Sequence, residues 1–252
     1  MLYKFMGGTE AELVDVFKKA VIDGSLKFTG ACHLNDPCEF RFESVKPTRQ
    51  QFYGWHKKYA PERSAEELEN AWSAFHGPSF DFNTNINPRQ DLMSACYLLC
   101  LSHNWDDLTM WAHYASNRSG FVVVYRDEIV SEIAELSEFG FSGSVKYSDE
   151  TPKLRWFSAP PEQLTSDLLS TKGLAWKNEN EFRAILTGQP SRKSLLRSIT
   201  PSLVAGVIIG HRAPDTIIEI ANAHRSRHDD FSIHFAHPSM MSGKMVLADT
   251  KY

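Results

Sequence analysis

The run Gly120-Phe-Val-Val-Val-Tyr125 is β-branched and aromatic from its first side chain to its last, and such a segment reads as a buried strand. Ahead of it Ala95 to Leu101 reads as another strand, and Asn104-Trp105-Asp106 is placed to cap a short helix running through Ala115. A strand-helix-strand centre of this kind needs further apolar layers, and the flanks provide them. Leu2 to Phe5 is a short apolar entry strand. Thr9 followed by Glu12 has the capping-box spacing for a helix with Leu13, Phe17, Ala20 and Val21 on one face.

Leu26 to Ala31 reads as a strand that ends in a turn at His33-Leu34-Asn35-Asp36-Pro37. A helical insert is expected over about 47–76, from Thr48 to Phe75, divided by Pro61, with Ser64 and Glu67 forming a second capping box. His76 to Pro88, rich in Asn, Pro, Gly and Asp, predicts a surface loop. Helices are then predicted at Ile129 to Leu136, Pro161 to Leu169 and Asp215 to Ala223. Strands are predicted at Gly143 to Tyr147, Phe182 to Thr187, Leu203 to Ile209, Phe231 to Phe235 and Met245 to Ala248. No regular βα repeat and no Gly-x-Gly-x-x-Gly turn is present, so the expectation is one α+β domain over residues 1–252 with a mixed or antiparallel sheet.

Composition narrows the function classes. With 42% hydrophobic and 23% charged residues the chain can bury a large core, and no window approaches the roughly 18 apolar residues of a membrane span. A cytoplasmic protein without a membrane partner is expected. Cys32, Cys38, Cys96 and Cys100 fit neither a disulfide framework nor a tight Cys-x-x-Cys zinc pair. A net charge of −4 argues against a broad nucleic-acid clamp. Local basic patches remain at Lys57 with Lys58, at Arg192 with Lys193, and at His224, Arg225, Arg227 and His228, and such clusters also serve simply as solvated faces.

Three constellations could carry chemistry. In Trp176-Lys177-Asn178-Glu179-Asn180-Glu181-Phe182-Arg183, the two-residue period of a strand puts Glu179, Glu181 and Arg183 on one face. Taken alone that pattern favours an exposed ion-pair ladder, and the functional alternative is a pair of carboxylates facing a sugar-like cationic transition state. Trp111, His113 and Tyr114 lie within one short helix and read as core or as a ring and polar tips for a nucleotide. Asn35, Asp36 and Glu39 surround a turn that is either ordinary turn chemistry or a loop over a site mouth, and Lys4 is a cation among apolar neighbours.

Taken in order, Leu2-Tyr3-Lys4-Phe5, Asn35-Asp36-Pro37-Cys38-Glu39, Cys100-Leu101-Ser102, Trp111-Ala112-His113-Tyr114 with Gly120, Val145-Lys146-Tyr147, and Lys172 with Trp176, Glu179, Glu181 and Arg183 resemble a bacterial family known as domain of unknown function 2971, over roughly residues 2 to 210. More distantly the chain resembles the ADP-ribosyltransferase superfamily, in its DNA-targeting toxin branch. That resemblance implies an NAD pocket in which Lys4, Ser102 or Tyr114, and Glu181 fill the three roles in chain order. It implies Glu181 as the ribose-holding catalytic carboxylate and Glu179 as the group that orients or deprotonates the acceptor. Trp111 and Tyr114 would wall the nicotinamide, His113 and Ser102 would bind ribose, and Lys4 or Arg183 would meet the pyrophosphate. Asn35, Asp36, Glu39, Tyr147, Lys172 and Trp176 would line the rest. The expected activity is transfer of ADP-ribose from NAD to a nucleic acid or protein, or NAD hydrolysis, suited to a toxin or antiphage effector. The alternatives are a Mg²⁺-dependent nuclease using Asp36, Glu39, Glu179 and Glu181, and a noncatalytic nucleotide-sensing or interaction module.

Overall fold

A computed structural model describes residues 1–160, 166–188, 193–248 and 250. Its centre is the predicted strand β5 (Phe121–Tyr125), buried at every position. Phe121, Val123 and Tyr125 face one apolar cluster with Leu13, Phe17 and Ile217. Val122 and Val124 face another with Phe5, Trp111 and Ile208. Both faces of the strand are thus covered, which is why the sequence shows an unbroken apolar run rather than alternation.

Strand β1 (Leu2–Met6) pairs antiparallel with β5 along its whole length, and on the far side β5 pairs with β12 (Val204–Gly210). Strand β13 (Ser232–Ser239) joins β12 in parallel and β14 (Lys244–Ala248) closes that side antiparallel. On the other side of β1 lies β4 (Cys96–Ser102), which pairs through its opposite edge with β10 (Glu181–Thr187), itself paired to β6 (Phe139–Ser144). The architecture is mixed α+β with a largely antiparallel sheet, as expected.

The sheet divides at β4. Its edge meets β1 only at Ser102, opposite Tyr3, and meets β2 (Ser25–Gly30) only at Tyr97 and Leu98. Between these contacts no strand among the described residues covers the edge, and the backbone there needs another partner. Lys4 on β1 supplies it by donating from Nζ to the Cys100 carbonyl at 2.8 Å. Strand β2 also carries β11 (Ser194–Ser198), which the sequence did not disclose.

Helix α1 (Glu10–Phe17) starts at the predicted Thr9–Glu12 capping box and continues into a π-helical turn over Lys18–Ile22. Its predicted face, Leu13, Phe17, Ala20 and Val21, is buried. The insert is two helices, α2 (Arg49–Tyr59) and α3 (Ala65–His76), each opened by a capping box. Residues 76–88 are not the loop that their composition suggested. A π-helical turn at Phe82–Ile86 leads into α4 (Asn87–Ala95), because Pro88 lies in the first turn, where its missing N–H costs nothing. Helix α5 (Leu108–Tyr114) is capped by Asp107, whose carboxylate accepts from the N–H groups of Thr109 and Met110, rather than by the preceding Asn104-Trp105-Asp106.

Helix α6 (Ile129–Ala134) and helix α7 (Asp215–Arg225) stand close to where the sequence placed them. The strand expected at Gly143 to Tyr147 is instead two pieces, β6 and a short β7 (Lys146–Tyr147). A parallel pair of β3 (Glu43–Val45) with β8 (Lys153–Arg155), and β9 (Thr171–Lys172) beside β7, complete the fold. Of the helix expected at Pro161 to Leu169, residues 166–169 are helical and 161–165 lie outside the described residues. Among the described residues no helix is long and apolar enough to cross a membrane.

The packing of β5 against β1 leaves no room at Gly120, where an added Cβ would stand 2.0 Å from the Met6 carbonyl oxygen. Gly120→Ala is expected to lower stability by about 2–4 kcal/mol. Gly54, inside α2 with nothing within 4 Å, is the control: Gly54→Ala should raise stability by roughly 0.5–1 kcal/mol. Urea unfolding followed by circular dichroism checks both, and equal effects of the two substitutions would show that the close approach has been misread.

Candidate functional site

The division of the sheet opens a cavity of about 230 Å³ between β1 and the N-terminal end of β10. Lys4 and Tyr3 come from β1, Cys100 and Ser102 from β4, and Asn35 from the turn after β2. Tyr114 enters from α5, and Lys172, Glu179 and Glu181 add the charged groups of the opposite wall.

Glu179 and Glu181 do not share a strand face as their spacing predicted. Glu179 ends a 3₁₀ segment at Leu174–Glu179, and Asn180 then takes a left-handed conformation (φ 39°, ψ 54°), so the strand begins only at Glu181. Asn tolerates this conformation better than most residues. Ser102 fixes the turn by donating its hydroxyl to the Glu179 carbonyl at 2.7 Å while accepting from the Asn104 N–H at 3.1 Å. The two carboxylates meet again at Lys172, whose Nζ lies 2.5 Å from Glu179 Oε2 and 3.3 Å from Glu181 Oε2.

Arg183 is the anchor of the cluster and has no exposed surface (0%). Its Nε and Nη2 donate to the two oxygens of Glu181 at 2.9 and 3.0 Å, and its Nη1 donates to Glu39 Oε1 at 2.7 Å and to the Leu169 carbonyl at 2.9 Å. On the opposite side of the site the Tyr114 hydroxyl donates to Glu179 Oε1 at 2.5 Å. Tyr147 accepts the Glu181 N–H on its phenol oxygen at 2.8 Å, and the Lys172 ammonium lies 4.8 Å from the centre of the Trp176 ring. An unbroken chain of charged and polar groups therefore runs Tyr114–Glu179–Lys172–Glu181–Arg183–Glu39.

Burial by itself raises the Glu181 carboxyl, but the Arg183 guanidinium and then Lys172 outweigh it and hold the group well below the usual carboxylate range. Burial likewise pulls Lys172 down, and Glu181 and Glu179 more than offset it, so the ammonium stays charged. Burial and the bond to Glu179 push Tyr114 upward, keeping it a phenol that donates. Burial also lifts Tyr147, to about 12. The cavity is thus lined by two carboxylates and two ammonium groups, with Glu181 ionised throughout the physiological range.

Of the residues singled out from the sequence, Lys4, Asn35, Ser102, Tyr114, Lys172, Glu179 and Glu181 line the cavity. Glu39, Arg183 and Tyr147 stand behind it, and Trp176 stacks on Lys172. Arg183 is fully engaged with buried carboxylates and does not reach the cavity, which corrects its assignment to a pyrophosphate. Trp111 belongs to the core: its indole N–H donates to the Trp105 carbonyl at 2.6 Å, and its ring meets Phe5 edge-on at 5.7 Å. No face of it is left for nicotinamide. His113 is exposed and Asp36 closes a turn by accepting the Cys38 N–H at 2.8 Å, and neither reaches the cavity. Thr29, His33, Leu34 and Met110 line it without having been foreseen. His33 and Leu34 adjoin Asn35 in the same turn, a neighbourhood that could have marked them.

The acids of the nuclease alternative do not form a ligand shell. Among the described residues no three His, Cys, Asp or Glu side chains converge as metal ligands, and Glu39, Glu179 and Glu181 are held by Arg183 and Lys172. Of the basic patches, none of the described members lines the cavity, and Arg192 lies outside the described residues.

A family model described as "Protein of unknown function (DUF2971)" matches residues 110–184, a stretch that holds Tyr114, Tyr147, Lys172, Glu179, Glu181 and Arg183. The match is narrower than the span over which the ordered motifs resemble that family, and it supports the resemblance there. No curated protein and no solved structure matches the chain.

Arg183→Lys keeps the charge but cannot bridge Glu181 and Glu39 with parallel N–H groups, so it is expected to cost about 3–5 kcal/mol. Chemical denaturation checks this, and a loss below about 1 kcal/mol, the size of an exposed pair, would show that the fork is not what holds the site.

Proposed function

We propose that the chain cleaves the nicotinamide–ribose bond of NAD and passes the ADP-ribose to a nucleic acid, a protein or water, on an ADP-ribosyltransferase-like scaffold. The observation that carries this reading is Glu181: a buried carboxylate kept ionised by Arg183 and Lys172, with its own side chain on the wall of the cavity that also exposes Lys4. Breaking that bond leaves the electron pair on nicotinamide and positive charge at the anomeric carbon, and a fixed carboxylate lowers the energy of that state. The acceptor then forms the new bond at the same carbon and gives up its proton. Glu179, oriented by Tyr114 and Lys172, is the group assigned to receive it. Lys4 remains the cation for phosphate, since Arg183 is enclosed.

The fit concerns one end of the dinucleotide. Pockets for drug-sized ligands run to about 300–1,000 Å³, so a cavity of about 230 Å³ suits the nicotinamide-ribose end, with the adenylate outside it. A second reading, a nucleotide-binding module without turnover, draws on the fact that both Glu181 oxygens already accept hydrogen bonds from Arg183.

The purified wild type, Glu181→Gln and Lys4→Met are incubated with adenylate-labelled NAD, alone and with DNA, RNA or cell lysate, and nicotinamide release and label transfer are scored. The wild type is expected to turn over, with a loss of about 100-fold or more in Glu181→Gln. Weaker NAD binding is expected in Lys4→Met, and matching circular dichroism spectra establish that the variants are folded. Binding without turnover by the wild type selects the second reading, and neither binding nor turnover rejects both.

A further inference from the structure

Glu39 has a different environment from the other two acids of the cluster. It is 1% exposed, its Oε1 accepts from Arg183, and its Oε2 is buried with no hydrogen-bond partner among the described residues. An ionised carboxylate oxygen without a donor in such a place has lost its hydration with nothing in return, a larger cost than that of a neutral acid's O–H left in the same position.

Charge balance points the same way. Within the ion-paired cluster Glu179 and Glu181 already engage Lys172 and Arg183, and Lys4, the other cation at the cavity, donates to the Cys100 carbonyl. An ionised Glu39 would add a third negative charge with no further cation on its carboxyl. The charged groups that face it are Arg183 and Glu181 on β10 and Lys172 on β9. Arg89 on α4 also approaches, but its guanidinium donates to the carbonyls of Glu39 and Pro37, at 3.1 and 2.8 Å, and so holds the loop backbone rather than the carboxyl.

We propose that Glu39 is a positioning residue for Glu181, acting through Arg183, and that it does this as a neutral acid. Its carbonyl-type oxygen fixes the plane of the guanidinium, and that plane sets the two N–H vectors on which the Glu181 carboxylate rests. As a neutral group it orients Arg183 without competing for its charge, which stays with Glu181. Burial raises the Glu39 carboxyl even against the pull of Arg183, in keeping with the geometry. The positioning role rests on the transferase reading of Glu181, whereas the protonation state does not.

The sign of the pH effect follows from the direction of that shift. A carboxyl raised in the folded state adds stability below its unfolded pKa, and loses it as the pH climbs through the folded value. Glu39→Gln keeps the neutral shape and removes the titration. The melting temperature of Glu39→Gln, relative to the wild type, is therefore expected to rise between about pH 5 and about pH 8. A difference independent of pH over that range overturns the neutral acid.

In the nicotinamide-release assay, Glu39→Gln is expected to stay within about 3-fold of the wild-type kcat, while Glu39→Ala falls by roughly 10–100-fold with KM little changed. Equal losses in the two variants, or no loss in Glu39→Ala, overturn the positioning role. Should the wild type release no nicotinamide, the transferase reading alone fails. A double-mutant cycle of Glu39→Ala with Glu181→Gln on the melting temperature then decides the link: non-additive effects uphold it and additive effects overturn it.

Discussion

Arg183 has no exposed surface, so its guanidinium depends on acceptors supplied by the protein. Two such acceptors come from Glu181 on the same strand, one from Glu39 in the loop beyond β2, and one from the Leu169 carbonyl. Three stretches of chain, one of them 144 residues from Arg183 and another 14, are thereby tied to one planar group. Lys172, two residues past Ser170, is drawn in by the same carboxylate, and it brings Glu179 with it. The polar cluster follows from a single buried cation whose fork has to be filled.

The cavity beside that cluster has a separate origin, in the way β1 and β2 diverge along β4. A continuous sheet would have covered Cys100, and here a lysine side chain takes the place of a strand. What carries Tyr114 to the rim is the tight end of α5. Ser116, Asn117 and Arg118 have φ values of 45°, 53° and 73°, three consecutive non-glycine residues in the left-handed region. Such residues cost of order 1–3 kcal/mol each and persist only where their surroundings determine them. Here the surroundings are the Gly8 N–H donating to Ser116 Oγ at 2.7 Å, the Arg118 N–H reaching back to the Trp111 carbonyl, and Gly120 pressed against Met6. The backbone strain fixes where α5 ends relative to β1, and with it the phenol that orients Glu179.

What could be read from the sequence was local. Capping boxes at Thr9 and Ser64 fixed helix starts because both partners lie within one turn, and the run Phe121–Tyr125 declared burial on both faces because no polar side chain interrupts it. Lys172, Glu179, Glu181 and Tyr114 were recognisable as polar residues of one site. Their arrangement was not, because it depends on Asn180 adopting a left-handed conformation that two-residue periodicity ignores. Trp111 and Tyr114 look alike as aromatics on one helix, yet one is enclosed by Phe5 and Trp105 and the other reaches a carboxylate. Pro88 read as a loop signal when it opens a helix. Arg183 is the clearest case: a strand arginine near two glutamates suggests a solvent-facing ladder, and only the tertiary approach of Glu39 and Leu169 turns it into a core residue.

The same cations that keep Glu181 ionised also consume part of its charge, so its usefulness at the cavity depends on where they sit. Arg183 does not line the cavity, and both of its bonds to Glu181 come from the buried side. Lys172 does line it, but its shorter contact is to Glu179, 2.5 Å against 3.3 Å to Glu181. Lys172 is therefore shared between the two carboxylates, so that among the described residues the cavity side of Glu181 is offset by an ammonium held in common rather than by a cation of its own, which leaves it some residual charge. In a low-dielectric enclosure that residual charge acts at close range and is weakly screened. A carboxylate fixed by hydrogen bonds from behind and left partly uncompensated in front can stabilise a transient positive charge without first shedding water or changing rotamer. The pairing of a buried fork behind Glu181 with a lysine shared unequally in front is what distinguishes this cluster from a surface ion-pair ladder built of the same residue types.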